Sequence, residues 1–203
     1  MLGSPFRYRA PIVANDPQWT PPTEAQLAAA NEVVDSIVEA FRSDRGVHAE
    51  TAVAAASRIA GTFLFRSFGF DFRNIQPGSP VLSDAANERG PLLLRTLGTA
   101  LVVGGVNKSA LTVVAEIPDE HRPHLSITET QTRIEATLRA IASRHGLSQE
   151  QAAHACALAA ARLIKMCADV LEPRIGFSLA TQGFVEGTKT APAALPEDPA
   201  AAS

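Results

Sequence analysis

Four arginines stand in otherwise apolar company: Arg58 and Arg66, eight residues apart on one flank of a predicted helix, and Arg95 and Arg162 in two further apolar stretches. A guanidinium stays charged, so each must reach solvent, pair with a carboxylate or face a bound anion. Snorkelling, or ion pairs with residues such as Glu50 or Glu88, is the bland account; a pocket for a small anionic ligand is the functional one. His48 and His154 add imidazoles that could move protons beside such an anion. Each also has a plain structural role open to it, His48 as a distorted helix cap and His154 as a hydrogen-bonded core histidine.

Asp119, Glu120, His121 and His124 cluster in IPDEHRPHLS, a donor set of the kind zinc or iron accepts. Pro118 and Pro123 bracket that run as a polar interhelical linker, so no metal and no cofactor are expected there. Several chemistries lack their residues altogether. The chain has no H-E-x-x-H, no E-x-x-H pair of the four-helix di-iron type, no G-x-S-x-G elbow and no C-x-x-C. GGVNKS is only partly similar to a phosphate loop, because Asn107 stands where the glycine before Lys108 should be. Cys156 and Cys167 are 11 residues apart on one predicted helix. That is about 16 Å along its axis, too far for a disulfide. They read as small core residues in a reducing, cytoplasmic setting.

The elements that would hold these groups are helices. Thr23 caps a predicted helix from Glu24 to about Asp44, a second runs from about Ala49 to Phe68, and a third from Asp84 to about Val103 with Gly90-Pro91 as a possible break. Residues 104–116 mix helix and strand formers and lean to helix. A helix opening at Thr128 or Thr130 ends at His145-Gly146, and the Ser148/Gln151 capping box starts another that reaches about Leu171 before Pro173. The spans 52–68, 92–106 and 152–170 are apolar on nearly every side, which makes them three interior rods. That much greasy surface suggests a second copy of the chain as cover, hence a homodimer.

AFRSDRGVHAETA from Ala40 and AIASRHGLSQEQA from Ala140 coincide at Ala40/Ala140, Ser43/Ser143, Gly46/Gly146, Glu50/Glu150 and Ala52/Ala152. The expected fold is therefore all-α, a bundle of about five to six helices with two similar αα-hairpins and a possible pseudo-twofold repeat. Around the helical domain of residues 23–185 lie a Pro-rich arm, 1–22, and an Ala/Pro/Thr-rich tail, 186–203, expected to be disordered. The arm carries Phe6, Tyr8 and Trp19, whose ring surface should pack it on the domain or on a partner, and the loop GFDFRNIQPGSP carries Phe70 and Phe72 as further partner-binding candidates.

A formal net charge of -3 gives no electrostatic reason to bind nucleic acid, and no apolar run approaches the roughly 20 residues of a membrane span. Taken together, the residues suggest a helical binding or interaction module over an enzyme. The alternative is a small enzyme for an anionic substrate, with Arg holding the anion and His transferring the proton.

Overall fold

The computed structural model describes residues 19–71 and 74–195. The chain is all-helical: α1 Glu24–Ala40, α2 Ala49–Ser67, α3 Asp84–Val103, α4 Ile127–Arg144, α5 Gln149–Met166 and α6 Pro173–Lys189, with no named strand among the described residues. Phe6, Tyr8 and Phe72 lie outside the described residues, as does most of the 1–22 arm.

Local sequence sets the helix starts. Thr23 with Gln26, Ser126 with Glu129 and Ser148 with Gln151 form reciprocal capping boxes that satisfy amide groups left over at each first turn. The Ser126 box places the start of α4 slightly ahead of the threonines the sequence suggested. Both hairpins turn on glycines in the left-handed region, Gly46 at φ 92° and Gly146 at φ 63°. Each hairpin is splayed: α1 packs chiefly on α5, while α4 packs on α1 and α2 more than on its own neighbour.

Every residue of α2 from Ala49 to Arg66 is buried. The interior of α5 is nearly as complete, with Ala152, Ala153 and Ala155 to Ala161 all buried. The α2 rod is as expected; the rod expected over 152–170 is shorter, since α5 ends at Met166 and Val170 is exposed. The third expected rod is corrected: α3 buries only a stripe, Ala86, Leu93, Thr96, Leu97 and Leu101, and its end leaves Val102 and Val103 exposed. Since α2 and α5 are enclosed within one chain, a second copy is not needed to cover them.

The third central helix is α6, which packs most extensively on α2 and which the sequence reading did not assign. Gly176, Gly183 and Gly187 resemble helix breakers, but they are contact points: Gly176 faces the Ile164 side chain, Gly183 the Ser57 side chain, and Gly187 the backbone of α2. A Cβ at Gly61 would stand 2.6 Å from the Phe184 carbonyl and 2.7 Å from the Gly187 Cα. The expected disordered tail is corrected over its first ten residues. Glu186 to Lys189 are helical, Thr188 and Ala191 are buried, and Ser79 and Gly78 exchange backbone hydrogen bonds with Ala191. Residues 104–116 are not a helix either. Gly105, at φ 93°, ends α3, and only a 3-10 turn, Lys108–Ala110, follows before Val114 N–H donates to Ser178 Oγ.

Candidate functional site

At the N-terminus of α2 four side chains from distant parts of the sequence converge. His48 is the N-cap residue, as its alignment with Ser148 suggested, and its Nδ1 accepts the Thr51 N–H at 3.4 Å. The Thr51 hydroxyl lies 2.8 Å from the same nitrogen. Because that oxygen already accepts the His124 N–H at 3.0 Å, its proton is free to point at His48. The pattern therefore assigns the remaining ring proton of His48 to Nε2, 3.3 Å from Glu50 Oε2. The other Glu50 oxygen lies 2.8 Å from His121 Nδ1. One carboxylate thus joins two imidazoles, and the third, His124, stacks on His48 with ring centroids 3.7 Å apart.

His121 and His124 reach the site because the linker before α4 folds back over α2. The 3-10 turn Asp119–His121 aims His121 at Glu50, and the Arg58 guanidinium donates to the Leu125 carbonyl just beyond His124. Asp119 and Glu120 do not join them; Asp119 is exposed and pairs with Arg122 at 2.7 Å. Among the described residues no group of three or more His, Cys, Asp or Glu side chains is placed to hold a metal ion.

Burial holds the His48 imidazole below its ordinary value of 6.5; Glu50 pulls the other way, and His124 and His121 add to the depression. Burial pushes the Glu50 carboxyl up, but the His121 hydrogen bond, its own backbone N–H and the two imidazoles more than offset that, leaving it below the usual range. Burial, aided by Glu50, raises the Cys167 thiol, so that cysteine is protonated rather than a thiolate nucleophile. The cleft beside this cluster measures about 690 Å³ and is lined by His48, Glu50, His124, Arg42, Arg45 and Arg133 among others. Arg133 is engaged with the Ala40 carbonyl and the Phe41 ring, and Arg42 with Glu39 at 3.9 Å; Arg45 has no side-chain partner among the described residues.

The arginines singled out in the sequence lie elsewhere. Arg58 pairs with Glu186 and secures the linker, and Arg66 pairs with Glu135 at 2.6 Å in the core. Arg95 lies over the Trp19 ring at 4.9 Å, and Arg162 lines a groove between α1, α3 and α5. His154 is on α5, its Nδ1 2.8 Å from Thr96 Oγ1, which also accepts the Trp19 indole N–H at 2.9 Å. Phe70 packs against Phe65 and Phe68 of its own chain, at 5.7 and 5.4 Å between centroids. Of the six Arg and His candidates, only His48 sits in the cleft at α2. Glu50, His121 and His124 were visible as residue types, but nothing in their spacing of about 70 residues showed that a linker would lay two imidazoles on a helix start.

His48 and His154 are both held below their ordinary value mainly by burial. The folded state then binds fewer protons than the unfolded one, so their contribution is present above pH 6.5 and is lost as pH falls below it. Thermal melts should show a lower midpoint at acid than at neutral pH, and His154→Gln should remove part of the difference. Equal midpoints in the wild type would contradict these protonation states.

No protein-family model matches the chain, and no curated protein or solved structure matches it either. No helix among the described residues is long and apolar enough to cross a membrane.

Proposed function

We propose that this chain is a helical binding module that takes a small anionic molecule in the cleft at the N-terminus of α2. The observation that carries the reading is the convergence of His48, His124 and Arg45 on one cleft of about 690 Å³ beside a single carboxylate. A helix start favours negative charge, and here Arg42, Arg45 and Arg133 add positive charge to the same cleft. Glu50 is the only carboxylate in that lining, and its charge is already shared by two imidazoles.

The enzymatic alternative gains support from the same place. His124 lines the cleft, and among the described residues no hydrogen bond engages its ring nitrogens. Its imidazole is therefore open to a bound anion, the position a proton-transfer group would need. The arginine of that reading becomes Arg45, not Arg58 or Arg66, whose guanidinium groups are already paired.

The chain has five histidines, so their ring signals in a carbon-proton NMR correlation separate the site from the rest of the molecule. Titration with inorganic phosphate, and separately with succinate, should move the signals of His48, His121 and His124 along one saturation curve. His145 and His154, which lie elsewhere, should stay put. Arg45→Ala should weaken the response by about tenfold, equivalent to about 1.4 kcal/mol. No saturable shift with either anion at millimolar concentration, or equal shifts at all five histidines, counts against the proposal.

A further inference from the structure

A second site lies apart from the first, in the groove between α1, α3 and α5, and we propose that it binds a small amphipathic acid: an apolar body carrying one carboxylate. The groove has a volume of about 350 Å³, within the range of small-molecule pockets. Its walls are Trp19, Leu27, Val103 and Leu158, and its α5 side carries Arg162 and Lys165. Leu27 is 40% and Val103 84% exposed, so apolar side chains stand open to water at a place that also gathers two cations. The side chains of Arg162 and Lys165 carry no hydrogen bond or ion pair among the described residues.

The pocket is shaped in advance. The Trp19 indole N–H is held by Thr96, which is itself held by His154, and Arg95 covers the indole ring. The aromatic wall is therefore held at its edge by Thr96 and on its face by Arg95 before any ligand arrives. Lys165 is placed by the absence of a side chain opposite it: a Cβ on Gly104 would come within 2.6 Å of the lysine Cδ and 2.8 Å of its Nζ. Its stem thus lies across the end of α3 with the ammonium at the groove. Arg162 sits three residues earlier on the same helix, one turn away. A carboxylate between these two heads satisfies both charges, while a short hydrocarbon body covers Leu27, Val103 and the indole. Neither a purely apolar molecule nor a bare anion matches both halves.

Trp19 is the only tryptophan of the chain, so its fluorescence reports binding beside it, and the Arg162 and Lys165 variant assigns the change to this groove. The full chain is titrated with decanoate, with decanol as the uncharged match and acetate as the bare anion. Decanoate should give a saturable change, decanol at least tenfold weaker binding, and acetate none. In the Arg162→Ala/Lys165→Ala double variant, decanoate should bind at least tenfold more weakly, with unchanged circular dichroism. Leu27→Asp should abolish the change through the apolar half of the site. The proposal is overturned if decanol binds as well as decanoate or if the double variant keeps full affinity. It is equally overturned if decanoate produces no saturable change, or only one that accompanies loss of helical signal.

Discussion

Arg66→Met should lower the unfolding free energy by about 3–5 kcal/mol, the usual cost of leaving one member of a buried ion pair alone. Arg66 and Glu135 join α2 to α4 at 2.6 Å, with side chains only 2% and 7% exposed. Methionine matches the arginine stem in length but leaves the Glu135 carboxylate without the guanidinium. It also removes the donor to the Ala193 carbonyl, 2.9 Å away, which ties the chain after α6 to the bundle. Adding Glu135→Leu should recover most of the loss, because two well-packed apolar side chains replace a pair whose desolvation largely cancels its attraction. Urea unfolding of the wild type, Arg66→Met, Glu135→Leu and the double variant gives the coupling directly. An exposed pair is the contrast: Arg89 and Glu150, 3.3 Å apart and each 40% exposed, should change stability by less than about 1 kcal/mol on Arg89→Ala. A single-variant loss below about 1 kcal/mol for Arg66→Met would mean that Glu135 finds water or a proton without its partner.

That pair also shows what the sequence could and could not reveal. Arg66 was legible as a charge in an apolar helix that needed a partner, and a structural carboxylate was the expected answer; the identity of Glu135 was not, because 69 residues separate them. Helix starts were legible wherever a capping residue and its return partner lie three apart, as at Ser148 and Gln151. The echo between the two hairpins likewise has a local counterpart in two left-handed glycines followed by two caps, His48 and Ser148. What the sequence reading lacked was α6, which it did not assign. In α6 a glycine looks like a weak point until a second helix is known to cross it, and crossing is a tertiary fact. The candidate site was hidden for the same kind of reason. His121 and His124 look like a polar linker because the sequence does not show that Arg58 pulls that linker, through the Leu125 carbonyl, onto the start of α2.

The crossing of α2 and α6 supplies the other large effect. Gly61→Ala should destabilise the protein by about 3 kcal/mol, at the upper end of the overpacking range. Alanine would ordinarily gain about 1 kcal/mol over glycine inside a helix, so the steric term has to exceed that gain. It does so because the atoms opposite are backbone: the Phe184 carbonyl at 2.6 Å, the Gly187 Cα at 2.7 Å and the Thr188 nitrogen at 2.8 Å cannot rotate away. Gly187→Ala probes the same contact from the other helix, and the two losses should not add, since either one already forces the helices apart. Gly98→Ala is the control; its nearest neighbour is the Leu111 Cδ1 at an ordinary 3.8 Å, so it should stabilise the protein by up to about 1 kcal/mol. The same displacement reaches the α2 cleft, because α6 carries Glu186, which holds Arg58, which holds Leu125. Gly61→Ala should therefore also weaken the phosphate response of His124 while the fold persists, whereas Gly98→Ala leaves it unchanged. Destabilisation without that weakening would separate the helix crossing from the linker and show that Thr51 and the His48 ring suffice to hold His124 in place.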